Sequence, residues 1–294
     1  MTPQQLVIEL DQLVSLPDVC VKVNRLIDAP NYSALTLGDL IAQDSDLSAR
    51  LLRVVNSAFF GMQVPVETIS RAITVIGTEE LRNLVMATTA TRIFTGIPSD
   101  LVDMAEYWRY SITTGVIAGE LAGHCNVLHG ERLFVMGVLH DIGRLAIYLK
   151  MPQEARDVLL ITAGEHGLLA ETEQDLLGFT HMDVGEALLR RWKLPESIID
   201  VVAYHHKPSL AKTHQLETAL LHIAAAIADA DLKGIPHEDV CQQLDEVVWQ
   251  ITGLQTQAFD HYLEAVPNKV LEIMDVVLAP KLRTRTSQTR QTKS

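Results

Sequence analysis

The sequence predicts an all-α protein, and three observations carry that expectation. Apolar residues recur at three- and four-residue spacing along most of the chain, and no run alternates as a half-buried strand does. Helix-start signals are frequent: Thr36-Leu-Gly-Asp39 and Thr180-His-Met-Asp183 have capping-box spacing, with Asp in place of the usual Glu. Aromatic residues are only 5% of the 294, against 48% hydrophobic, so the core is built from Leu, Val, Ile and Ala. Such a core suits packed helices better than a β-sandwich.

The elements follow in order. Ser45 is placed to cap a helix over 46–56, and Thr78 one over 79–94. Gly77 is placed to end a short helix over 69–76. Longer helices are predicted over 103–125, 131–150, 152–165, 181–192, 195–205 and 213–231. The end adds 237–252, 255–265 and 267–278. Gly96-Ile-Pro-Ser-Asp100 clusters breakers between two helical blocks. It divides an N-terminal helical subdomain, 1–97, from a larger helical subdomain, 98–280. Residues 281–294 hold five cations and no acid, and are expected to form a disordered basic tail.

Charge and cysteine usage narrow the function classes. Net charge is −13, and the tail's five cations leave the rest of the chain near −18. That surface repels phosphate backbones, so no nucleic-acid binding is expected. Cys20, Cys125 and Cys241 are isolated and form no CxxC pair, which fits a reducing, cytoplasmic setting. No basic segment precedes an apolar leader, and no apolar run of about 18 residues exists to span a membrane.

The chemistry concentrates where polar residues interrupt apolar stripes. In G-V-L-H-D-I-G-R-L, Gly137 to Leu145, Asp141 shares a helical stripe with Phe134, Val138, Leu145 and Tyr148. A carboxylate on a core face is costly unless it is paired or bound to a cation. His140 is turned about 100° away yet reaches the same side of the helix. Gly137 and Gly143 flank His140 at three residues either way and would let another backbone approach. His181 heads a stripe of Gly185, Leu188, Leu189 and Trp192, so it points inward. Asp229 shares a face with His222, Ala225 and Ala226. His205 and His206 end a helix just before Lys207-Pro208, where a cationic imidazole is also a natural cap.

Any one of these is more often a satisfied core group than a ligand. Six spread over four helices point to a shared site for a divalent ion such as Fe, Mn, Zn or Ni. The competing reading is a metal-free His–Asp hydrogen-bond network. Elsewhere, Arg50 and Arg53 are expected on a solvated face, and Trp108 and Trp192 in the core. Phe59-Phe60 fits either the core or an exposed docking patch.

The order His140-Asp141, His181, His205-His206, Asp229 resembles the HD superfamily of metal-dependent phosphohydrolases. Within it, the chain most resembles the HDOD domain of bacterial signalling proteins. Leu16-Pro17, D-S-D-L-S-A-R-L-L-R-V-V-N-S-A-F-F-G (44–61) and I-S-R-A-I-T-V-I-G (69–77) carry the likeness. Trp108-x-x-Ser111, Gly137 to Leu145, F-T-H-M-D-V-G-E-A-L-L-R-R-W-K-L-P (179–195) and His205-His206 complete it, over about residues 10–210. The resemblance implies an HD-like fold with His140, Asp141, His181, His205, His206 and Asp229 as the metal-ligand set.

The departures bear on activity. Ser45 stands where the family usually has Pro. Catalytic HD proteins supply an earlier His where Ser111 stands here. The related cyclic-di-GMP phosphodiesterases carry H-H-E followed by a G-Y-P segment, and a Lys where this chain has Arg144. Here the sequence reads His205-His206-Lys207-Pro208. The resemblance therefore implies a non-catalytic signalling or scaffold module with a residual metal site, engaging signalling protein partners. The alternative is a metal-dependent phosphohydrolase acting on a nucleotide or cyclic nucleotide, with Lys207 or Arg144 stabilising phosphate charge. A nucleotide-binding sensor without turnover is a third reading.

Overall fold

The computed structural model describes residues 1–10, 16–30 and 32–278. The expected basic tail, 281–294, lies outside the described residues. Among the described residues every regular element is helical and no strand occurs. No described helix is long and apolar enough to cross a membrane.

The chain forms two compact units. One takes the described residues of Met1–Val14 together with Phe94–Val266, the other those of Ser15–Ile93 together with Pro267–Ser294. The expected break at Gly96-Ile-Pro-Ser-Asp100 lies beside the Ile93/Phe94 division. The two ends differ from the sequence order. Pro3–Leu10 packs with the C-terminal unit, against His181–Arg191 and Ile142–Lys150. The last helix, Val266–Val277, joins the N-terminal residues: Glu272 Oε2 accepts from the Ala58 backbone at 2.9 Å. The chain passes between the two units three times, which a linear reading of breakers does not anticipate.

In the larger unit, Met104–His124 lies against Glu131–Leu139 and Gln215–Lys233. A Cβ on Gly137 would collide with the Gly115 backbone, so the first crossing requires glycine there. Ile142–Lys150 packs on His181–Arg191, which packs in turn on Glu196–Tyr204. Gly143 has the same role at that crossing, because a Cβ there would strike the His181 carbonyl and the Gly185 amide. Trp108 and Trp192 are buried in this unit.

The other unit packs Ala34–Ala42 on Asp18–Ile27 and Ile69–Ile76, and Ser45–Val55 on Thr78–Ile93. Gly77 ends Ile69–Ile76 at φ +92°, a backbone angle that L side chains rarely adopt. Asn56 ties its helix end to the Val66 backbone in both directions, at 2.6 and 2.8 Å. Phe59 and Phe60 are half-buried and stack edge to face, 5.3 Å apart.

Several expectations need correction. The 131–150 helix is two helices, Glu131–Leu139 and Ile142–Lys150, which break at His140-Asp141. The apolar stripe continues across the break, so periodicity hides it. The 237–252 helix splits into His237–Cys241 and Glu246–Thr252, the second capped by Asp245 on the Val247 amide. The 255–265 helix shrinks to a 3-10 turn, Thr256–Ala258, and Phe259–Tyr262. Ser33, not Thr36, caps Ala34–Ala42, with Thr36 as its reciprocal partner. Asp44, not Ser45, caps Ser45–Val55 through the Leu47 amide at 2.9 Å. Arg50 is buried rather than solvated: it donates to the Thr88 carbonyl at 2.9 Å and pairs with Asp46. One helix, His166–Leu177, had no counterpart in the sequence reading.

Candidate metal centre

The helix break is what builds the site. His140 ends the first helix with helical dihedrals and Asp141 departs from them, at φ −98° and ψ 11°. Both are then presented at one point instead of on faces 100° apart. The next turn closes through the Arg144 amide to the Asp141 carbonyl at 2.9 Å. His181 comes from the first turn of its helix, fixed by the capping box that the sequence predicts. Asp183 accepts from the Thr180 amide at 2.7 Å and Thr180 accepts from the Asp183 amide at 3.3 Å. His205 caps the end of Glu196–Tyr204, and the Lys207 amide bonds the Tyr204 carbonyl at 2.8 Å. That turn lets adjacent His205 and His206 face one centre. His222 braces it by donating Nδ1–H to the His205 carbonyl at 2.7 Å.

The protonation pattern is set by neighbours. His140 donates Nδ1–H to the Gly137 carbonyl at 2.7 Å, and His205 donates Nδ1–H to the Val202 carbonyl at 2.8 Å. A carbonyl only accepts, so Nδ1 carries the proton in each. His181 Nδ1 lies 2.6 Å from Glu173 Oε2, which also accepts the His181 amide at 2.7 Å. The three Nε2 atoms therefore turn to Asp141. His181 Nε2 is 3.4 Å and His205 Nε2 3.6 Å from Oδ1, and His140 Nε2 is 3.7 Å from Oδ2. All three Nε2 atoms are buried without a hydrogen-bond partner.

Buried polar atoms left unpartnered are rare and need an explanation. Ligand atoms about 2.1 Å from one ion stand about 3.0–3.5 Å apart, close to the spacing around Asp141 Oδ1. Asp141, His181, His205 and His206 each offer one ligand atom, all within 4.8 Å of one another. The donor set of three imidazoles and one carboxylate fits Fe, Mn, Zn or Ni. His140 stands beside this group without joining it. Asp229 does not reach it: its Oδ2 is held by Lys233 Nζ at 2.8 Å and its Oδ1 lies 3.6 Å from His166 Nδ1. The stripe of His222, Ala226 and Asp229 is half-buried, the least covered strip of a deeply packed helix. Ser111 is buried and bonds back to the Tyr107 carbonyl at 3.1 Å.

Electrostatics polarise the cluster. Burial alone would raise the Asp141 pKa. The His140 ring and the Arg144 guanidinium, 2.7 Å from Oδ2, outweigh it and hold the carboxyl well below the usual range. Burial pulls His140 down to about 4 despite Asp141 beside it. At His181 burial also opposes charge, but Glu173 overrides it and lifts the pKa above the ordinary value. Burial, with His205 and His181 nearby, holds His206 well below its ordinary value.

Two residues escaped the sequence reading, Glu173 and His166, both on the unexpected helix. Glu173 could have been found, because Leu169, Glu173 and Leu177 share one stripe. His166, the first residue of that helix, carries no such signal. One cavity is lined by Arg144, which bonds Asp141, and another by His206 of the cluster. The first, of about 290 Å³, is also lined by Tyr110, Tyr148, His166, Asp229 and Lys233 among others. The second, of about 240 Å³, is also lined by Lys207, Pro208, His222 and Asp245 among others.

The family model of the HDOD domain matches residues 13–208. The chain belongs to the HDOD family. An uncharacterized protein of Treponema pallidum (strain Nichols) is 28% identical over 200 residues, which are 67% of this HDOD chain and 38% of that protein. The chain thus spans well under half the length of that relative. Among solved structures, a Shewanella amazonensis SB2B protein provisionally named a phosphohydrolase superposes with TM-score 0.71. It is 24% identical, over 92% of this chain and 97% of that one. An HDOD domain protein of unknown function from Geobacter sulfurreducens gives TM-score 0.70 at 21% identity, over 94% and 99%. At these identities the superpositions establish the HD-like helical fold of this HDOD protein.

Proposed function

We propose that this chain is a non-catalytic HDOD signalling module that works through protein contacts and keeps a one-ion histidine site as a structural element. The observation that carries the reading is the fate of the carboxylates. Asp141 alone enters the imidazole cluster, while Asp229 is bound to Lys233 and faces His166. Ser111 brings only a neutral hydroxyl, a poor replacement for an imidazole ligand, and its proton is donated to the Tyr107 carbonyl. Asp141, His181, His205 and His206 would hold the ion. A bound ion can lower the pKa of a water, but hydrolysis at phosphorus also asks for charge placed against the phosphate. Arg144, the nearest buried cation, is already engaged with Asp141 and Tyr148. The site suits a fixed brace that ties three helix ends together. The signalling role follows the family, and the acidic surface favours a protein partner over nucleic acid.

The test is hydrolysis. Protein loaded with Mn, Fe, Zn or Ni is assayed on bis-p-nitrophenyl phosphate and on cyclic dinucleotides, beside Asp141→Ala. Equal, background rates support the module. An ion-dependent rate abolished in Asp141→Ala favours the phosphohydrolase alternative.

A further inference from the structure

We propose that the Arg144 guanidinium occupies the place of a second cation beside Asp141, so that this protein binds one divalent ion where its donor groups would otherwise accept two. The inference rests on the one-ion reading of Asp141, His181, His205 and His206.

Asp141 divides its surroundings. Oδ1 faces His181 and His205, and Oδ2 faces His140 and Arg144. On the Oδ2 side the donors of an ion site are gathered, but a side chain sits among them. Arg144 NH1 donates to Asp141 Oδ2 at 2.7 Å and lies 3.5 Å from His166 Nε2. His140 Nε2 is also on this side, buried and without a hydrogen-bond partner. His166 Nδ1 continues the chain of polar groups to Asp229 Oδ1 at 3.6 Å. Tyr110 packs against both rings, with centroids 5.3 Å from His140 and 4.6 Å from His166. Asp141 and His166 contact the positive charge directly, and His140 Nε2 lies 3.7 Å from the same carboxylate oxygen; carboxylate and imidazole are donors that a borderline divalent ion selects.

The guanidinium is held as an ion would be. Arg144 is only 6% exposed, whereas a long cationic side chain normally carries its head to water. Its Nε and NH2 donate to the Tyr148 hydroxyl at 3.2 and 3.0 Å, which fixes the plane of the fork. Its permanent charge repels an incoming ion, and it lines the 290 Å³ cavity. A plain salt bridge to Asp141 would account for one of these contacts. It does not account for the Nε2 lone pair of His166 facing NH1, or for the unpartnered Nε2 of His140.

Manganese stoichiometry tests the proposal on the full chain. Chelator-stripped protein is titrated with Mn(II), and bound ions are counted by elemental analysis and followed by electron paramagnetic resonance. The wild type is expected to bind one ion. Arg144→Ala and Arg144→Gln are expected to bind two, with the spin-coupled signal of a close pair. Arg144→Lys, which keeps the charge, is expected to stay at one. Adding His166→Ala to Arg144→Gln should return the count to one. One ion in the wild type and no gain in Arg144→Gln, shown folded by circular dichroism, refutes the stand-in. Two ions in the wild type refute it as well. No ion in the wild type refutes instead the underlying reading of the histidine cluster.

Discussion

Replacing Glu173 isolates the support beneath the cluster. Glu173 is buried and accepts two bonds from one residue, the His181 amide at 2.7 Å and Nδ1 at 2.6 Å. Glu173→Ala strands both donors away from water. A buried hydrogen bond to a charged group contributes about 1.5–3 kcal/mol, so losing the pair should cost about 3–5 kcal/mol. Glu173→Gln keeps one carbonyl oxygen and should cost about half as much. At about 2–4 °C per kcal/mol for a chain of this size, the alanine variant should melt roughly 6–20 °C lower. The cost depends on pH. Glu173 lifts His181 above its ordinary pKa, so this stabilisation is complete below the unfolded pKa near 6.5. It is lost as pH rises through the folded value, so the gap between wild type and Glu173→Gln should narrow at alkaline pH. Outer carboxylates also orient ligating imidazoles, and their loss typically weakens metal binding about 10–100-fold. The assay is thermal melting of metal-free protein at several pH values, followed by Zn(II) titration of each variant. A Glu173→Ala protein with unchanged melting and unchanged zinc affinity would refute the reasoning.

Acid should destabilise the larger unit through its neutral histidines. Burial depresses His140 to about 4 and, with Arg144 close by, His166 to about 3, so the folded state resists protons that the unfolded chain takes up near pH 6.5. Stability contributed by these rings is complete above that pH and falls toward pH 4, by up to about 1.4 kcal/mol per unit for each ring. Urea midpoints in His166→Gln should show a shallower slope, and an unchanged slope would remove His166 from the account. At the helix crossing, Gly143→Ala should cost about 1–3 kcal/mol or more, because the new methyl meets the His181 carbonyl and the Gly185 amide. Gly123→Ala on Met104–His124, with open space around it, should be neutral or stabilising by up to about 1 kcal/mol. Equal melting temperatures for the two would contradict the close approach.

What the sequence made legible was polarity out of place. His181 and Asp141 interrupt apolar stripes, and the structure brings them together with His205 and His206. The same criterion misplaced Asp229. Gln215–Lys233 is buried over most of its circumference, so a polar stripe there marks the face nearest water. Glu173 lies on a stripe with Leu169 and Leu177, but Glu171, Gln174 and Asp175 beside it weaken the contrast that singles out an inward carboxylate. The break at His140-Asp141 left no trace, because neither residue is a helix breaker and apolar spacing resumes in phase. Arg50 illustrates the reverse error: a cation in a polar-looking row can fold back onto the carbonyl of a neighbouring helix.

The most direct measurement is an anomalous difference map from a crystal grown with Zn(II) or Mn(II). One peak among Asp141 Oδ1, His181 Nε2, His205 Nε2 and His206, with Arg144 still on Oδ2, is the predicted result. A peak at Arg144 with Asp229 turned in to bind it, or no peak beside Asp141 at saturating metal, would contradict it.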